Sequence, residues 1–74
     1  MQRYSDIDRD SGVVAYDYGT EFIRVKFSDG SIYRYTYSSA GKYVIDNMKQ
    51  LADWGDGLNA YINDNARKSY EARE

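Results

Sequence analysis

Cysteine and histidine are both absent from this 74-residue sequence. Their absence removes disulfide staples, thiolate nucleophiles, the ordinary zinc ligand sets and the usual proton shuttle at neutral pH. An excess of either charge is also missing. Ten basic and twelve acidic residues give a formal charge of -2, which offers no global attraction to nucleic acid or to an anionic membrane. Any such binding must come from a local patch. No apolar run approaches the roughly 20 residues of a membrane-spanning helix, and the opening MQRYSDIDRD lacks the apolar segment of a signal peptide. The expectation is a soluble cytoplasmic protein with no membrane partner. No repeat, Gly/Ser-rich stretch or single-sign block divides the chain, so one domain is expected. Catalytic signatures are missing as well: no serine in a strained elbow, no Gly-rich loop from strand to helix, no carboxylate pair forced together by spacing. The sequence therefore reads as non-catalytic, with no cofactor and no metal.

What is abundant is aromatic: nine tyrosines, one tryptophan and two phenylalanines. A chain this short buries only about 60% of its unfolded surface, so the tyrosines must supply much of the core. Residues 1–11 show neither a strand nor a helix period and read as a flexible leader, with the domain spanning 12–74. The run VVAYDY at 13–18 reads as a first strand. EFIRVKF at 21–27 reads as a second, its odd positions Ile23, Val25 and Phe27 facing the core, and 31–37 as a third. A two-residue Gly19-Thr20 turn would pair Tyr16 with Ile23 and Val14 with Val25, leaving Val13 and Ala15 outward. For the second hairpin, a two-residue Asp29-Gly30 loop would put Arg34 on the core face. A three-residue Ser28-Asp29-Gly30 loop instead pairs Val25 with Tyr33 and Ile23 with Tyr35, and is preferred.

Ser38 and Ser39 offer caps for a helix from Ala40 to Trp54, which Gly55 closes. Asp56 can cap a second helix from Gly57 to about Ala72, with Leu58, Tyr61, Ile62, Ala66 and Tyr70 along one side. The expected class is α+β: a three-stranded antiparallel meander followed by two helices packed on one face.

From Ala15 to Tyr70 the chain resembles the KTSC domain, a short family named for the C-terminus of some lysyl-tRNA synthetases and also found as free-standing bacterial and phage proteins. The resemblance rests on Tyr16-Asp17, the strand VKFSDGS, the central Tyr33-Arg34-Tyr35 and GLNAYIN before a final tyrosine. It implies an RNA-binding role, supposed for the family from its synthetase context, and nothing stronger.

The stretch from Asp6 to Asp17 imitates a calcium loop, with carboxylates at positions 1, 3, 5 and 12. Ser11 replaces the turn glycine, Asp17 stands where glutamate belongs, and the flanks are not helical, so a solvated acidic leader is the expected state. Tyr33 and Tyr35 offer faces on which bases stack, but the preferred register puts both under the helices as core. On the opposite face the same register sets Arg24 against Arg34, with Lys26 and Phe22 beside them. Facing like charges repel, and an anion such as a phosphate would relieve them; the alternative is that the side chains splay into water. Phe22, Arg24, Lys26 and Arg34 are thus the candidate nucleic-acid contacts, with Arg67 and Lys68 a secondary basic patch. Two functions follow: a binding module for RNA or an RNA-bound protein, or a protein-interaction domain, including a homodimer, working through the bare edge of the first strand.

Overall fold

Side-chain alternation along the second strand of the expected meander sets the two faces of the sheet. In the computed structural model, which describes residues 1–6 and 12–74, Ile23 and Val25 are fully buried while Arg24 and Lys26 lie on the other side. The elements run β1 (Gln2–Arg3), β2 (Val13–Tyr18), β3 (Phe22–Phe27), β4 (Ile32–Thr36), α1 (Tyr37–Ala40), α2 (Lys42–Trp54), α3 (Leu58–Asn65) and β5 (Ala72–Arg73). The five strands form one antiparallel sheet in chain order. The class is α+β, as expected, but the meander carries a two-residue strand on each flank and the helical part begins one short helix earlier. Among the described residues, no helix is long and apolar enough to cross a membrane.

The β3–β4 register agrees with the sequence expectation: Ile23 faces Tyr35, Arg24 faces Arg34 and Val25 faces Tyr33. Gly30 takes φ +90 in the three-residue loop, where a side chain would be strained. The β2–β3 register differs. Tyr16 faces Val25 and Tyr18 faces Ile23, because the turn centres on Thr20-Glu21 with Gly19 N–H bonded to Phe22 O at 3.1 Å. Gly19 is spared a side chain for another reason: a Cβ there would meet the Phe22 ring at 2.5 Å. The slip is two residues, an even number, so the inward face survives although its partners change. An irregularity between Val13 and Ala15 then turns Val13 inward, 1% exposed, and leaves Val14 40% exposed, the reverse of the expected assignment.

The expected leader is also corrected at its start. Gln2 and Arg3 pair with Tyr16 and Ala15, and Tyr4 is buried in the core, accepting a 3.2 Å bond from the Leu58 N–H. Ser5 follows across Gly55, whose absent Cβ would lie 2.5 Å from the Ser5 Cβ. The edge of β2 that was expected to be bare is therefore covered by β1, and β5 covers β4 on the other side, facing Tyr33 and Arg34.

Helix boundaries follow local chemistry more finely than the periodicity showed. Thr36, not Ser38, is the first cap, its side chain and that of Ser39 bonding reciprocally in a capping box. Gly41 at φ +93 separates α1 from α2, and left-handed Gly55 ends α2 as expected. Gly57, rather than Asp56, occupies the cap position of α3. That helix stops at Asn65, in a run of Asn and Asp with weak helix preference, instead of reaching Ala72. Ile45, Met48 and Ala52 from α2, with Leu58, Ile62 and Ala66, close the core over Tyr16, Ile23, Val25 and Tyr35. Two polar clasps fix α2 on the sheet. Asp53 accepts from the Tyr16 and Tyr18 hydroxyls at 2.8 and 2.6 Å. Lys49 lies over the Tyr18 and Tyr37 rings at 5.4 and 5.5 Å and donates to Thr20 O at 2.7 Å.

Candidate nucleic-acid interface

The open face of the sheet brings together all four of the residues expected to meet phosphate. Arg24 and Arg34 face each other across β3 and β4, with Lys26 opposite Ile32 and Phe22 opposite Thr36. The chain supplies its own counter-charges, however. The shifted β2–β3 register sets Asp17 opposite Arg24, whose guanidinium donates a fork of bonds to it at 2.8 and 2.6 Å. Arg24 Nη1 also donates to Glu74 Oε1 at 2.9 Å, and Arg34 Nε reaches Glu74 Oε2 at 3.2 Å. Arg34 lies 5.0 Å from the centre of the Phe22 ring. Lys26 has no ion pair among the described residues. The facing arginines thus neither splay into water nor stand bare.

The other basic pair lies elsewhere. Arg67 and Lys68, exposed on the turns after α3, line an open cleft of about 490 Å3 between those turns and the β3–β4 loop. Phe27, Tyr33, Tyr35 and Tyr70 contribute its aromatic surface. Tyr35 is 2% exposed and belongs to the core, as expected, but Tyr33 is only half-buried. Its ring meets Phe27 edge-on at 5.6 Å and Tyr70 at 4.8 Å. Tyr70, expected on the second helix, has left it and lies 41% exposed above Tyr33. Arg73 covers Tyr33 at 5.7 Å. Neither Arg67 nor Lys68 has an ion pair among the described residues. The sequence shows the basic pair but not its cleft, because a helix running to Ala72 would keep Tyr70 from folding back on Tyr33, whereas α3 ends at Asn65.

Family models, curated proteins and solved structures were all compared with this chain, and none matches.

The calcium-like stretch falls largely on Asp8, Asp10 and Ser11, outside the described residues. Of the rest, Asp17 is committed to Arg24. The hydrogen bond from that guanidinium holds the Asp17 carboxyl below its usual range, against the opposing effect of burial. Lys42 and Tyr37 do the same for Asp46, and Ser31 for Asp29. Burial, then Asp53, pushes the Tyr16 phenol up to about 12, and burial pushes Tyr35 to about 12.

These shifts fix the pH profile of stability. A phenol raised in the folded state stabilises fully below its unfolded value near 10, and that contribution is lost as pH climbs from about 10 to 12. Lowered carboxyls stabilise above about pH 4, and lose their effect as pH falls through their folded values. With no histidine to titrate between, denaturant melts are expected to give a flat plateau from about pH 5 to 9. Beyond pH 10 the loss should track the rise of tyrosinate absorbance; a maximum or step near pH 6 would contradict this assignment.

Proposed function

We propose that this chain is a non-catalytic RNA-binding module acting in the cytoplasm, and that it takes single-stranded RNA in the cleft edged by Arg67 and Lys68. The observation that carries the reading is the cleft itself, where half-buried Tyr33 and exposed Tyr70 lie beside two cations without ion-pair partners among the described residues. Aromatic surfaces stack any base, and cations beside them meet the backbone phosphates. The volume of about 490 Å3 suits a small number of nucleotides, not an extended strand. The resemblance to the KTSC domain supports the same direction by analogy. Arg24 and Arg34, engaged by Asp17 and Glu74, move from first candidates to a second place. Self-association through β2 would first have to displace β1 from Ala15 and Tyr16.

Titration of the full chain with a short single-stranded RNA, followed by backbone amide shifts at several salt concentrations, tests this. Two phosphate contacts on a single strand give a log-log salt slope near -0.7 each, so about -1.4 together, and an affinity no tighter than about micromolar at physiological salt. Changing Arg67 and Lys68 together to serine should remove both the binding and the slope. Binding that survives that change, yet disappears when Arg24 and Arg34 become serine, would return the interface to the open sheet face. Amides that stay unmoved by RNA at low salt would end the RNA reading.

A further inference from the structure

On the open face of the sheet two guanidinium groups converge on one carboxylate, and that carboxylate is the most loosely anchored of the group. Arg24 is oriented by its two bonds to Asp17, and Arg34 by the Phe22 ring at 5.0 Å. Both would keep these positions if Glu74 left. They would then stand directly opposed, as like charges paired across neighbouring strands. Glu74 itself is held through β5, which is two residues long and exposed throughout. The backbone ties flanking that strand run from the Glu71 N–H to Arg34 O and from the Glu74 N–H to Ile32 O, each 2.7 Å. Burial pushes the Glu74 carboxyl up, but the hydrogen bonds and charges of Arg24 and Arg34 together outweigh it and hold the group below its usual range.

We propose that Arg24 and Arg34 form an anion site whose resident occupant is Glu74, and that a phosphate-type anion displaces this carboxylate and loosens β5 from β4. A carboxylate brings one charge and two oxygens to the pair. A phosphate brings up to two charges and three oxygens, enough to accept from Arg24 Nη1 and Arg34 Nε together. Because Glu74 leaves with its own N–H bond to Ile32 O, occupancy by phosphate and attachment of β5 oppose each other, and the coupling is reciprocal. The site uses neither Arg67 nor Lys68, so it stands or falls apart from the cleft.

Inorganic phosphate titrated into the full chain at constant ionic strength tests the site by amide shifts and amide hydrogen exchange. Shifts should centre on Arg24, Arg34 and Glu74, while exchange at the Glu71 and Glu74 amides speeds up with occupancy. Glu74→Gln should tighten phosphate binding about fivefold, the scale of one exposed charge pair, and Arg34→Gln should abolish it. Equal affinity in Glu74→Gln, unchanged exchange at Glu71 and Glu74 under saturating phosphate, or shifts confined to Arg67 and Lys68 would each overturn the proposal. Short single-stranded RNA in place of phosphate separates the sources. Shifts at Arg24 and Arg34 that appear only when the strand carries a 5′-phosphate, and that inorganic phosphate competes away, assign the site to the terminal phosphomonoester of RNA. RNA that leaves those residues still, where inorganic phosphate moves them, assigns it to small free phosphates.

Discussion

Replacing Tyr35 with alanine is expected to leave the domain largely unfolded at room temperature. The ring is 2% exposed, faces Ile23 across the sheet and packs in the same cluster as Ile45, Met48 and Ile62. Truncating a buried aromatic costs about 3 to 5 kcal/mol through lost transfer energy and the cavity left behind. Small domains have about 5 kcal/mol in total at the lower end of the usual range, so little would remain. Tyr35→Phe should stay within about 1 kcal/mol of the parent, because the Tyr35 hydroxyl has no hydrogen-bond partner among the described residues and is not a fully buried polar atom, so its loss strands nothing. Thermal and denaturant melts by circular dichroism read both variants. An alanine variant with the parent's midpoint would show that the ring is not core material.

Tyr4→Ala should be nearly as severe, which is a demanding expectation for a residue in a stretch whose sequence carries no period. Tyr4 is 3% exposed and fills the core beside the start of α3. Its hydroxyl oxygen accepts the 3.2 Å bond from the Leu58 N–H, one of the donors that a helix start cannot satisfy internally. The alanine change removes the ring and that acceptor together, at about 3 to 5 kcal/mol for the packing alone. Tyr4→Phe separates the two, since it keeps the ring and strands the buried amide, at about 1 to 3 kcal/mol. Equal stability of all three proteins would mean that the first residues do not dock on the domain.

Much of this architecture is legible in the sequence wherever a short-range rule decides it. Alternation in IRVKF and the Ser28-Asp29-Gly30 loop are enough to set the β3–β4 register, including the facing arginines, because an odd slip would bury Arg34. The β2–β3 register departs from the turn-based expectation because Gly19 carries a turn signal but serves to make room for the Phe22 ring, a contact between side chain and backbone that no turn table contains. An even slip then costs nothing in apolar burial, so patterning has no power to detect it. Its consequence is electrostatic: Asp17 faces Arg24, where the expected register sets it against Phe22. Tyr4 and Glu74 were invisible for a different reason. Each acts from a segment too short to have a period, and their partners Leu58, Arg24 and Arg34 lie far away along the chain. The cleft was half legible. Arg67 and Lys68 stand out as a basic pair, but only the early stop of α3 brings Tyr70 back over Tyr33.

The sheet follows chain order, yet its strands do not close equal lengths of chain. β2, β3 and β4 join through tight turns, whereas β5 reaches β4 only after α1, α2 and α3 have been laid down between them. Loop-closure entropy rises with the logarithm of length, so the last pairing is the one that the unfolded chain resists most and local contacts help least. The meander can therefore nucleate by itself, and β5 adds to a sheet already roofed by helices. Substitutions at Ala72 or Arg73 should change the unfolding rate and leave the folding rate nearly as it was, the kinetic mark of contacts made after the barrier.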